Sequence, residues 1–600
     1  MRLRSSVIWC GLLFLAIGFL GSSLEAGASS LARSAPVYVS HRSMPMSISH
    51  SRDRLERSFT RAAAVRPLTI GSLQPVTAEP PVPRPHDTPC VVHLFSNIHF
   101  VDFSQHLWPY NPPAACPGPW EEVVFNANFN VTAGVQFDRT ANVWINGANV
   151  YFGTTVEPSP SLSPSWHVER DVTDLTPVFE QPSTGQVVLG NIVNSTYTGI
   201  RTGSAWLQFY PKEKGPSVDA GTFSHDVPDA VYPLSAGPLG GAVFLFNGSQ
   251  QNATTLTLPQ NVERAYLDVF LQSQIGDEFW YSCFPNPLAA LLNNCGNTAF
   301  REGEVAIDGR PAGVAPVFPW IYTGGIDPFF WVPIPGVETL DFRPYRVDLT
   351  PFASLLSNGV PHTIALSVYN ANNYFATTGN LLVFLDHRSK ALTGAVLADT
   401  TSAAPITAQY ENVKIANGVA QGPLGITATH NVYVDGYVNT SHGRVETSVQ
   451  QAINFANTQQ IKVTSSEFKQ GIVQDTTISS TTRTTTSGSQ THTFTLSQRK
   501  NWPLNVFYDF VVNPDGSATQ VGSVAQAKHE DADWNGFLTH LVYAANAKDT
   551  LTITTSGNLV PSNPKTSQQY LFATSNGFCY NHTVTAFDNV QTGSLFGTCK

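Results

Sequence analysis

The sequence predicts an all-β protein: two tandem antiparallel β-sandwiches (90–215 and 216–390) followed by a third β-rich domain (391–600). Three observations carry this expectation. Short β-branched and aromatic runs alternate with Asn-Gly, Asp-Gly, Gly-Gly and proline-rich turns at the spacing of sandwich strands. Long windows with a helical apolar period are missing beyond Cys90. One signature also occurs twice. In the first copy Ile145-Asn-Gly147 is followed by Asp171-Val-Thr-Asp-Leu-Thr-Pro-Val-Phe179 and the apolar run Val187–Val193. In the second, Ile307-Asp-Gly309 is followed by Asp348-Leu-Thr-Pro-Phe352 and His362–Val368.

The elements before the sandwiches set the compartment. Arg2 and Arg4 precede the apolar run Val7–Leu20, and Ala26-Gly27-Ala28 is a small-x-small cleavage pattern, so residues 1–28 read as a signal peptide. The run is shorter than the roughly 20 residues a membrane span needs; the expected product is secreted or periplasmic, with no membrane attachment after cleavage. Residues 29–89 hold eight arginines, no lysine and a proline-rich end at Glu79–Pro89. They read as a basic leader or pro-segment, flexible and dispensable for the mature fold.

Within the sandwiches, Ala141–Ile145 and Ala148–Gly153 meet at Asn146-Gly147, a pair suited to a type I′ hairpin. In both copies of the signature Thr-Pro is expected to act as N-cap and N1 of one helical turn between strands. In the third domain the Thr/Ser-rich segment Asp475–Gln498 reads as exposed antiparallel strand. His529, Glu530, Asp531 and Asp533 read as a solvated turn rather than a cation site.

Composition excludes several functions. A net charge of −10 is wrong for a nucleic-acid binder, and 36 Phe, 19 Tyr and 11 Trp are too many for a disordered chain. Beyond Cys10 in the signal, six cysteines fall into sequence-local pairs, and an even count in an exported chain reads as disulfides. Sequence leaves the connectivity open; proximity favours Cys90–Cys116, Cys283–Cys295 and Cys579–Cys599. With no C-x-x-C and no H-E-x-x-H, neither a metal site nor a cofactor is expected. Asn-x-Ser/Thr sequons at Asn130, Asn194, Asn247, Asn252, Asn439 and Asn581 are glycan acceptors in a eukaryotic secretory route.

Any hydrolytic chemistry then falls to Asp, Glu or His. Asp138-Arg139 offers a base beside a fixed cation, or a structural ion pair at a strand end. Glu157 follows the hairpin on a rim where binding loops gather, or is an exposed turn glutamate. Asp277-Glu278-Phe279-Trp280-Tyr281 combines carboxylates with aromatics, a pairing that suits sugar recognition with acid–base work better than the other reading, a hydrophobic strand edge with exposed acids. The aromatic, turn-rich Pro319–Trp331 forms a pocket wall or a packed loop.

At these residues the chain resembles a known family, the acid-active peptide N-glycanases of the plant amidase A type. The resemblance runs from Cys90 to about Asp386. It rests on Trp120, Gln136-Phe-Asp-Arg139, Glu157-Pro158, Trp166, Asp171-Val-Thr173, Asp277–Tyr281, Phe300-Arg-Glu302, Asp308-Gly309, Tyr322-Thr-Gly-Gly325, Trp331, Pro333 and Asp348–Phe352. A more distant likeness is to the bacterial peptide N-glycanase built of two eight-stranded jelly rolls. Its Asp-Arg, Asp-Val-Thr-Asp and Ala-Tyr-Leu match Asp138-Arg139, Asp171–Asp174 and Ala265–Leu267; it implies that the tandem sandwiches are jelly-roll-like. That enzyme's other essential glutamates fall on Asn297 and near Asn191, so only Asp138 and Arg139 carry over.

The resemblance implies an amidase acting on the bond between an N-glycan and asparagine, releasing aspartate and a glycosylamine with an acidic pH optimum. In this reading Asp138 is the base and Arg139 orients the substrate. Glu278 or Glu157, chosen by chemistry, is the acid. Trp280, Trp331, Trp166, Asp277 and Glu302 join Arg139 in holding the substrate. The partners are N-glycosylated peptides or proteins, met by a monomer. A glycoside hydrolase and a non-catalytic carbohydrate-binding protein are the alternative readings.

Overall fold

A computed structural model describes residues 70–85, 87–159, 161–212, 227–488 and 490–599; the expected signal peptide and the leader up to residue 69 lie outside them. The first unit has eight strands: β1 (Cys90–Phe100), β2 (His106–Tyr110), β3 (Trp120–Val131), β4 (Thr140–Ile145), β5 (Ala148–Thr154), β6 (Ser165–Asp171), β7 (Ser183–Leu189) and β8 (Arg201–Pro211). They form two antiparallel sheets, ordered β1-β8-β3-β6 and β2-β7-β4-β5, which is jelly-roll topology. Period-two burial builds its core: along β8 Ala205, Leu207 and Phe209 point inward against Phe125 and Val143 while Ser204, Trp206 and Gln208 stay half-exposed.

The second unit repeats the plan with β9 (Ala230–Leu234), β10 (Val243–Leu245), β11 (Asn252–Thr257), β12 (Val262–Ser273), β13 (Glu302–Ile307), β14 (Arg310–Pro316), β15 (Tyr345–Asp348), β16 (Pro361–Tyr369) and β17 (Phe375–Leu385). Its sheets are ordered β10-β17-β12-β15 and β11-β16-β13-β14, with β9 added beside β17. Each copy of the sequence signature therefore occupies the same place in its roll. Asn146 and Gly147, like Asp308 and Gly309, take positive φ in tight hairpins. The helical turn follows β6 in one roll and β15 in the other. Its cap differs from the expectation: neither Thr caps, and instead Asp171 and Asp348 accept from the backbone N–H of Thr173 and Thr350, each at 2.9 Å.

β17 is buried on both faces. Leu381 and Val383 enter the second core, Leu382 and Phe384 the first, so the rolls share a wall. A reciprocal amide contact crosses it, Asn149 N–H to Asn380 Oδ1 at 3.1 Å and Asn380 Nδ2 to Asn149 O at 2.9 Å.

Residues 393–596 form one antiparallel sheet of thirteen strands, the longest being Val419–Thr440, Gly443–Val463 and Glu467–Ser487. The Thr/Ser-rich segment is strand, as expected. Residues 529–533 are not a turn: they end the strand Ala518–Trp534, where Glu530 lies 3.5 Å from Lys528 and Asp531 2.6 Å from His540. The sheet packs on the second roll through Phe455 against Phe300 and Trp502 against Phe318. Its inward amides reach the backbone of two long loops: Asn457 to Tyr281 O (2.9 Å), Gln470 to Ser282 O (3.0 Å), Gln520 to Ile326 O (3.0 Å), Gln526 to Pro319 O (2.5 Å) and Gln568 to Pro335 O (2.9 Å).

Two further expectations change. The described end of the leader is docked rather than loose: Val76 and Ala78 are buried against Ile334 and Val584, Glu79 pairs with Arg343 at 2.8 Å and Arg84 with Glu169 at 2.9 Å. Asn252 is buried and hydrogen-bonded to backbone, so the folded chain does not offer that sequon to a transferase. The three disulfides join Cys90–Cys116, Cys283–Cys295 and Cys579–Cys599.

Gln526→Leu strands the Pro319 carbonyl and the Val337 N–H that Gln526 now serves. The expected loss is about 1–3 kcal/mol, read as a lower denaturant midpoint; an unchanged midpoint would show that the amide is not a support.

Candidate active site

The hairpin β4–β5 builds the first half of the site. Thr140 faces Thr154, and pairing continues outward as Thr155 N–H to Arg139 O and Arg139 N–H to Thr155 Oγ1, both 2.8 Å. The open end therefore brings Asp138 beside Glu157, whose carboxylate accepts the Asp138 backbone N–H. Gln136 donates to Ile192 O (2.9 Å) and Gly199 O (3.2 Å) and accepts Arg139 Nη2 at 3.0 Å. Among the described residues Arg139 Nε, itself buried, has no hydrogen-bond partner.

A residue the sequence reading missed stands behind this pair. Arg201, fully buried at the start of β8, donates to Thr155 Oγ1 (3.1 Å), Asn191 Oδ1 (3.0 Å) and the Phe137 carbonyl. It thereby holds the Phe137 carbonyl directly and the Arg139 N–H through the shared Thr155 hydroxyl, and adds a second guanidinium to the site. A neutral amide at Asn191 leaves that charge to Asp138 and Glu157. The signal was available: Arg201 continues the inward period-two set of β8, a position that ordinarily takes an apolar side chain.

The second roll supplies Glu278. β12 runs into a turn at Ile275–Asp277, pinned by Gln274 Nε2 to Thr140 Oγ1 of the first roll at 2.7 Å and by the Tyr322 hydroxyl on Ser273 O at 2.5 Å. Asp277 is spent on this loop. Its Oδ1 accepts Arg301 Nε at 2.9 Å, its Oδ2 the N–H groups of Asn372 and Asn373 at 2.7 Å, and the Asp277–Arg301 pair is wholly buried. Glu278, next in sequence, is thereby held within electrostatic reach of Asp138.

The loop between β14 and β15 closes the floor. Thr323 Oγ1 donates to Thr155 O at 2.7 Å, and Gly324 (φ +82°) passes so near Glu157 that an added Cβ would lie 1.9 Å from Oε2. Only glycine suits both the backbone and the space.

Asp138, Arg139, Glu157 and Glu278 are each half-buried, so the cluster meets solvent. Among the described residues no ion pair ties down Asp138. Burial pushes its carboxyl up to about 7 against the pull of Arg139 and Arg201. Burial and the Asp138 charge push Glu278 up to about 8, with no cation to oppose them. Glu157 is raised well above its usual range by burial and by Asp138, partly offset by the Asp138 N–H and both arginines. Burial, then Arg139, brings Arg201 down to about 9. Asp138 faces the guanidiniums and Glu278 does not, so Asp138 carries the charge while Glu278 keeps its proton. The cluster thus unites a base, an acid and a cation with an unspent N–H.

Several expected substrate contacts are not available. Trp280 and Trp331 are 1% exposed and Trp166 is 5% exposed. Trp280 packs on Phe455, Trp331 donates to Gly325 O, and Trp166 stacks on Phe129: all three are core, not sugar platforms. Glu302 is fully buried and bonded to His430 at 2.6 Å. Asp277 positions Glu278 instead of touching substrate. Exposed aromatics near Glu278 come from elsewhere: Phe244 and Phe246, each 49% exposed, set their rings edge-on to Tyr374 at 5.1 and 5.4 Å. Tyr374 in turn lies within electrostatic reach of Glu278.

The family model described as peptide N-acetyl-beta-D-glucosaminyl asparaginase amidase A matches residues 80–402. The chain is 29% identical over 518 residues to peptide-N4-(N-acetyl-beta-glucosaminyl)asparagine amidase A of Prunus dulcis, covering 83% of this chain and 88% of that protein. Among solved structures, PNGF-II is similar at a TM-score of 0.33 and 14% identity, over 50% of this chain and 66% of its own. PNGase F, a glycosylasparaginase from Flavobacterium meningosepticum, is similar at a TM-score of 0.31 and 12% identity, over 50% and 96%.

If Asp277 anchors the loop, Asp277→Ala leaves the Arg301 charge buried without its partner and costs about 3–5 kcal/mol. Thermal unfolding should move down accordingly; a variant of unchanged stability with only a raised KM would return Asp277 to substrate binding.

Proposed function

The chain belongs to the peptide N-acetyl-beta-D-glucosaminyl asparaginase amidase A family, and on that premise we propose that it is an exported amidase whose Asp138 activates the water that splits N-glycan from asparagine. The observation that carries this is the cluster itself: the half-buried Asp138 carboxyl within electrostatic reach of Arg139 and Arg201 of its own roll and of the Glu278 carboxyl of the second roll, all but Arg201 reached by solvent.

In this mechanism Asp138 takes a proton from water as the water oxygen attacks the asparagine side-chain carbonyl. The oxygen of that carbonyl gains the negative charge, which the Arg139 guanidinium meets in a site partly stripped of water. Glu278 gives its proton to the amide nitrogen as the C–N bond breaks, and Glu157, accepting the Asp138 backbone N–H, holds the base in place. The products are a peptide aspartate and a 1-amino sugar, which then loses ammonia to water. Phe244, Phe246 and Tyr374 take the place of the buried tryptophans as the surface for the apolar face of the sugar. Export is supported by the sequence's N-terminal apolar segment and by three disulfides, which persist in oxidising compartments.

The working form has Asp138 ionised and Glu278 protonated. Activity therefore rises with pH as Asp138 loses its proton and falls as Glu278 loses its own, giving a bell in kcat/KM whose limbs belong to groups near 7 and 8. These limbs centre the bell near neutrality, above the acid-side optimum that the resemblance implies.

With a purified glycopeptide, mass spectrometry should show Asn converted to Asp, an intact glycan released and one ¹⁸O from labelled water in the new carboxylate. Asp138→Asn should lower kcat at least about 10³-fold with folding intact, and Glu278→Gln should erase the alkaline limb of the pH profile. A sugar left on asparagine would mean a glycosidase, an untouched substrate a binding protein, and an active Asp138→Asn variant would discard the base. Phe244→Ala with Phe246→Ala should raise KM about tenfold at nearly constant kcat; an unchanged KM removes those rings from the sugar site.

A further inference from the structure

The third sheet meets the catalytic cluster at a cavity of about 190 Å³. Phe137 and Glu157 form its wall on the first roll; Phe279, Ile326 and Pro328 come from the two long loops, and Phe468, Tyr508 and Leu551 from the third sheet. The cavity is therefore continuous with the carboxylate cluster through Glu157. Its mouth carries Leu559, 42% exposed, followed by Val560, 49% exposed.

Most of its polar groups are already used, the Tyr281 hydroxyl being buried with no partner among the described residues. Gln470 donates to Ser282 O at 3.0 Å and to Gln459 Oε1 at 2.8 Å. Gln520 donates to Ile326 O and Asp327 Oδ2 at 3.0 Å each, and accepts the Tyr508 hydroxyl at 3.2 Å. Ser282 Oγ donates to Phe279 O at 2.7 Å, while Asn294 accepts the Cys295 N–H at 2.8 Å. A hydroxyl-rich sugar entering here would give up its bonds to water and find few in return. An apolar group loses nothing. The space is adequate, since an apolar protein cavity of about 150 Å³ accepts benzene.

We infer that this cavity is a subsite for the peptide arm of the substrate, holding an apolar side chain adjacent to the glycosylated asparagine. The inference rests on the amidase reading above and adds a direction to it. The peptide lies on the Glu157 side, against the third sheet, and the glycan on the Glu278 side, toward Phe244 and Phe246. The third domain thus takes part in choosing the substrate.

The test uses the full-length protein and synthetic glycopeptides with one glycan, bearing leucine or phenylalanine beside the asparagine in one set and glycine in the other. The apolar set should show a KM at least about tenfold lower, equivalent to about 1.4 kcal/mol. Ile553→Trp, which fills the cavity, and Leu559→Glu, which charges its exposed mouth, should shrink that preference to within about twofold. Melting curves show whether each variant is folded, and Leu559→Glu, at an exposed position, serves if the larger residue is not tolerated. Equal KM for both sets in the natural protein overturns the subsite while leaving the amidase intact. A uniform loss on both sets in folded Ile553→Trp places the shared sugar in the cavity and overturns it too. No release from any glycopeptide would instead refute the activity.

Discussion

The catalytic residues sit on segments with little secondary structure of their own, and every backbone group in those segments must still find a partner away from water. The loops from Gln274 to Phe300 and from Val317 to Pro344 meet this constraint with borrowed side chains. Asn457, Gln470, Gln520, Gln526 and Gln568, alternating inward along strands of the third sheet, each take one loop carbonyl. A sheet of thirteen strands is large for a structural appendage. It is the right size for a template against which two irregular loops are ordered.

The two rolls divide the remaining work. The first contributes Asp138, Arg139 and Glu157 from beyond the paired ends of β4 and β5, where register sets their approach, and Arg201 from the start of β8 in the facing sheet. The second contributes Glu278 from a loop, and a loop needs an anchor. The buried Asp277–Arg301 pair provides it, with both carboxylate oxygens occupied. β17, buried on both sides, fixes one roll against the other and so sets how far Glu278 lies from Asp138.

Much of this is legible in the sequence. The repeated Ile-Asn/Asp-Gly and Asp-x-Thr signatures mark the same hairpin and the same connection in each roll. A hairpin turning at Asn146-Gly147 already brings residues near 138 opposite residues near 156. What sequence could not separate was a tryptophan beside a carboxylate from a tryptophan at a site: Trp280 follows Glu278 by two, yet its ring is swallowed by the core while Phe244 and Phe246, far away in sequence, stand in the open. Arg201 carried a readable sign, a cation on the inward side of an apolar strand. The inward amides carried none, because their partners are carbonyls of residues more than a hundred positions distant.

Those amides have one more property. Asparagine and glutamine neither gain nor lose a proton over the range in which Asp138 and Glu278 change charge. These amide supports are therefore blind to acidity, while the chemistry they support is governed by it. A change of acidity thus reaches the reacting carboxyls while these particular contacts between sheet and loop keep their hold.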